Sequence, residues 1–76
     1  MNEEELKVKL ESKIRSCKQR LQGLCDEKVE VAKLLYLGFE VRDKAFQWYD
    51  HEIEVCNELI ESYSNRLEEI KANETI

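Results

Sequence analysis

Two rows of apolar side chains run almost the length of this chain, and they limit what it can fold into. One row is Ile14, Leu21, Leu35, Tyr49, Cys56, Tyr63 and Ile70, a seven-residue step broken only by Lys28 and Arg42. The other begins as Leu10, Cys17, Leu24 and Val31. It resumes one residue later as Phe39, Phe46, Ile53, Ile60 and Leu67. Alternating steps of three and four place these side chains on one stripe of a helix. A stripe of this kind must be covered by a second helix. The expected fold class is therefore all-α: a long amphipathic helix forming an antiparallel coiled coil or helical bundle. A helical hairpin bent near Gly23 or Gly38 is the alternative.

The punctuation along the chain is sparse. The 76 residues contain no proline and two glycines. Asn2 is placed to cap a helix whose first turn holds Glu3, Glu4 and Glu5, where the helix dipole favours negative charge. The helical pattern then runs over 6–71, and 73–76 is expected to fray. Residues 1–76 read as a single helical module. Gly23, followed by Asp26, could end one helix and start another. However, the seven-residue row keeps its phase across Gly23, so the sequence favours one continuous helix. The shift of the second row near Phe39 is expected from a 3.5-residue pattern drifting around a helix of 3.6 residues per turn.

Charge sets the direction of pairing. Over 7–20 there are six basic residues against Glu11 alone, a net +5. Over 50–69 there are seven acidic residues against Arg66 alone, a net -6. A parallel pair would set like charges against each other, whereas an antiparallel pair joins the opposite ends. The complementarity centres near Gly38, so an antiparallel homodimer and an intramolecular hairpin would make nearly the same contacts. In the homodimer reading the seam is Ile14, Cys17, Leu21, Leu24, Val31 and Leu35 with Phe39, Phe46, Tyr49, Ile53, Cys56, Ile60, Tyr63, Leu67 and Ile70.

A second apolar stripe occupies the middle of the chain: Leu34, Leu37, Val41, Ala45, Trp48, Val55 and Leu59. A two-stranded coil does not need it. Val41, Ala45, Trp48 and Val55 are the candidate docking residues for further protein subunits, with Trp48 as anchor, since tryptophan is favoured at interface hot spots.

Chemistry is expected to be absent. His51 is the only histidine, and no two cysteines are spaced as local zinc ligands. No metal, cofactor or catalytic residue is expected. A net charge of -5 argues against nucleic acid as a partner. The longest apolar run, 34–39, falls far short of the roughly 20 residues a membrane span needs. Three cysteines, an odd number, read as reduced thiols. An intracellular setting follows, nuclear or cytoplasmic.

The stretch Asp26, Glu27, Lys28, Val29, Glu30, Val31, Ala32, with Tyr36, resembles the middle of the N-terminal helical domain of the inhibitor-of-growth family. Phe39-Glu40, Asp43-Lys44 and Asp50 resemble that family's aromatic-Glu, Asp-Lys and later Asp. The resemblance implies an antiparallel dimerising domain inside a nuclear, histone-modifying complex, which inclines the localisation to the nucleus. The family's zinc-binding histone reader has no counterpart here. The expected function is a non-catalytic dimerisation and scaffolding module. The competing expectation is a coiled-coil subunit of a kinetochore or vesicle-tethering assembly, acting by heteromeric helix packing.

Overall fold

The computed structural model describes residues 2–34 and 38–74, with the backbone alone at Glu74. Two helices account for nearly all of them, α1 (Glu3–Ala32) and α2 (Phe39–Glu74). They pack antiparallel into a rod of 58 × 18 × 14 Å. The long dimension is close to the ~54 Å expected of the 36-residue α2 at 1.5 Å per residue. The fold is an all-α helical hairpin.

Local chemistry explains where α1 begins. The Asn2 side chain accepts from the Glu5 amide at 2.8 Å, and its carbonyl accepts from the Leu6 amide. Glu3, Glu4 and Glu5 follow in the first turn. The side chain thus satisfies one otherwise orphan donor, the carbonyl starts the helical ladder, and the negative charge sits at the positive end of the dipole.

The end of α1 corrects the expectation of one continuous helix. The Lys33 amide donates to Glu30 and Val31, and the Leu34 amide donates to the Val31 carbonyl at 3.1 Å. The last turn thus tightens to three-residue bonds, a common way for a helix to stop. On the other side, the Gly38 carbonyl accepts from the Arg42 amide, so Gly38 occupies the N-cap of α2. Among the described residues none has positive φ, so the reversal does not depend on a left-handed glycine. Gly23 lies inside α1, and the bend belongs near Gly38. The one-residue shift between Val31 and Phe39 is therefore the reset of phase that a chain reversal imposes, not supercoil drift.

The interface between the helices is narrow. Among the described residues the buried hydrophobics are Leu10, Leu24, Cys56 and Leu67. Around them Ile14, Cys17, Leu21 and Val31 from α1 are half-buried. So are Phe46, Tyr49, Ile53, Ile60, Tyr63 and Ile70 from α2. These are the residues of the expected seam, and within the chain they face one another across the hairpin. Phe39 is the exception. It is 81% exposed at the first residue of α2. Leu35, also assigned to the seam, lies outside the described residues.

Candidate docking surface

Antiparallel pairing brings the basic start of α1 against the acidic body of α2. Arg20 bonds Glu52 across the interface at 3.3 Å, and Lys28 pairs with Asp50. The Lys13 ammonium lies 5.5 Å from the centre of the Tyr63 ring. Lys28 also stands over Phe46, 5.7 Å from its ring centre. Its place in the apolar row is thus explained: the aliphatic stem covers the seam, and the charge reaches an aromatic face and a carboxylate at its edge. Arg42, the other interruption, is half-buried and its Nε has no hydrogen-bond partner.

The stripe beside this seam is the most distinctive surface of the molecule. Along α2, Val41 is 54% exposed, Trp48 51% and Leu59 39%. Ala45 and Val55 are half-buried. These five residues form one band because their steps of three, four and seven return to the same side of a helix. Ala45 and Val55 are the partly covered members of the band. They therefore contribute less free surface than the sequence suggests. Leu34 is half-buried, and Leu37 lies outside the described residues.

Trp48 is held in place rather than loose. Its ring meets that of Tyr49 edge to face, with centroids 5.0 Å apart and an interplanar angle of 78°. That arrangement suits the aromatic quadrupole. Tyr49 in turn is tied to α1. Burial of its ring, together with the Glu27 carboxylate beside it and bonded to its hydroxyl, raises the phenol above its ordinary pKa of 10.0. Next to Trp48 runs an open groove of about 430 Å³, lined by Arg20, Gly23, Leu24 and Glu27. A methyl group at Gly23 would meet nothing within 4 Å. No contact inside the chain therefore requires a glycine there, and its effect is to leave the groove wide.

The remaining features define no second site. Cys17 is half-buried, Cys25 exposed and Cys56 buried, and all three are free thiols. Among the described residues no group of three or more His, Cys, Asp and Glu is placed to hold a metal ion. Among the same residues no helix is long and apolar enough to cross a membrane. A shallow cleft of about 390 Å³ near the chain ends mixes Glu11, Arg15, Lys18, Glu68 and Lys71 around Ile14, Ser64 and Leu67. Its charges alternate in sign, so it presents no single electrostatic face.

The architecture defines a class: an antiparallel helical hairpin with a half-exposed apolar stripe along α2. No family model, curated protein or solved structure matches the chain.

Proposed function

We propose that this chain is a non-catalytic helical assembly module, which scaffolds a multiprotein complex through the stripe of α2. The supporting observation is Trp48: a braced indole, half-exposed, in the middle of an apolar band that the hairpin seam does not use. A large apolar group kept at the surface among apolar neighbours is the signature of a contact surface. The seam residues supply the rigid support. The resemblance of 26–32 to the inhibitor-of-growth helical domain supplies the setting we propose, a nuclear histone-modifying complex.

The test compares two truncations. Leu24 is 4% exposed, and Leu24→Ala should cost about 3 kcal/mol, with a correspondingly lower melting temperature. Trp48→Ala should melt within about 1 kcal/mol of the parent, since half its surface is already in water. The same Trp48→Ala chain, tagged and expressed in its native cell, should lose the proteins that co-purify with the parent. Unchanged co-purification would refute the docking role.

A further inference from the structure

We infer that the occupant of the α2 stripe is a second copy of this chain, seated antiparallel, α2 on α2, about a two-fold axis near His51. This rests on the docking reading above and names the partner. The stripe is close to symmetric under reversal. Trp48 and Val55 stand three and four residues from His51, and Val41 and Leu59 stand ten and eight. A surface that matches its own reversal is what an isologous interface requires. Placed antiparallel on itself, it sets Trp48 against Val55 of the second copy and Val41 against its Leu59.

Charge points to the same arrangement. Lys44 and Glu58 each stand seven residues from His51 and are exposed. Steps of seven keep 44, 51 and 58 on one flank of the stripe. In an antiparallel helix pair each flank meets the same flank of the partner running the other way. Lys44 of each copy then faces Glu58 of the other, twice by symmetry. Neither residue has an ion-pair partner among the described residues of its own chain.

The hairpin also has reason to associate. Four buried hydrophobic residues among those described make a slight core for 76 residues. Chains of this size commonly gain the missing burial by oligomerising. Two hairpins joined by their α2 stripes form a four-helix bundle, with helices packed near antiparallel.

The purified full chain should sediment as a dimer in the micromolar range. The emission of Trp48, the sole tryptophan, should move to the blue as concentration rises. Lys44→Glu alone and Glu58→Lys alone should each weaken the dimer on the order of ten-fold, because each sets two like-charged pairs across the axis. The double variant Lys44→Glu/Glu58→Lys should return to within about two-fold of the parent, a recovery that only reciprocal contacts produce. Both positions are exposed, so helical ellipticity should stay constant across the series. A chain that remains monomeric, or a dimer indifferent to these reversals, would overturn the inference. A monomeric chain whose Trp48→Ala variant still loses its cellular partners would leave the docking reading intact. If Trp48→Ala retains those partners, the docking reading falls as well.

Discussion

At the scale of single residues, two side chains carry most of the information. Gly23 costs its helix about 1 kcal/mol relative to alanine. Apart from its own helix backbone, nothing among the described residues lies within 4 Å of an added methyl. Gly23→Ala should therefore raise the unfolding free energy by about 0.5–1 kcal/mol, visible as a higher melting temperature or denaturant midpoint. A lower midpoint would show that the α1 backbone at Gly23 is not free to accept a side chain. Tyr49 makes the pH behaviour testable. Its phenol is raised by burial and by Glu27, so the folded state keeps the proton longer than the unfolded chain. That stability is present in full below pH 10 and is lost as pH rises through the raised value. Helicity followed by circular dichroism should fall above about pH 10 in the parent. The decline should be shallower in Tyr49→Phe, and an identical slope in both chains would remove Tyr49 from the account. Sequence reading offered Gly23 as a possible helix break, whereas it lies inside α1, and it put Tyr49 in an apolar row, where it is half-buried between the helices. It missed Glu27 as the partner of Tyr49, because that pair joins the two helices and has no local spacing.

At the scale of the element, the caps decide where helices stop. Asn2 was legible, since an asparagine ahead of three glutamates is a local signal, and the structure uses it as read. The break between α1 and α2 was harder to place. Its sequence, 34–39, is apolar and free of proline, and Gly38 is its one turn-forming residue. The signal that did exist was the shift of the second row from Val31 to Phe39. Supercoil drift and a reversal both produce such a shift, and periodicity alone cannot separate them. Phe39 was assigned to the seam for the same reason. The α2 N-terminus yields its own prediction. Glycine is a weaker N-cap than aspartate or serine, and Gly38 has no side-chain oxygen to accept the free amides. A Cβ there would meet nothing within 4 Å among the described residues. Gly38→Asp should stabilise the hairpin by a few tenths to about 1 kcal/mol, measured by chemical denaturation. A loss of stability would show that the backbone at Gly38 does not fit the capping role.

At the scale of the whole molecule, the segregation of charge was the most reliable guide. It foretold antiparallel pairing, and Arg20 with Glu52 realises it. It could not say whether one chain or two would supply the helices, because the pattern is complementary about its own midpoint. The structure places both within one chain. Each exposed ion pair contributes under about 1 kcal/mol, so the pairs orient the helices more than they hold them.

The account stands on the seam being closed within each chain. The direct measurement is a distance between spin labels at Lys9→Cys and Arg66→Cys, with Cys17, Cys25 and Cys56 replaced by alanine. In the hairpin these exposed positions lie on adjacent helices. Axes 8–10 Å apart should give a label separation on the order of 20 Å. That separation should persist when labelled chains are diluted with unlabelled ones. A continuous helix would instead separate the labels by roughly 85 Å within a chain at 1.5 Å per residue. Any short distance would then arise between chains and disappear on dilution, and that result would contradict the account.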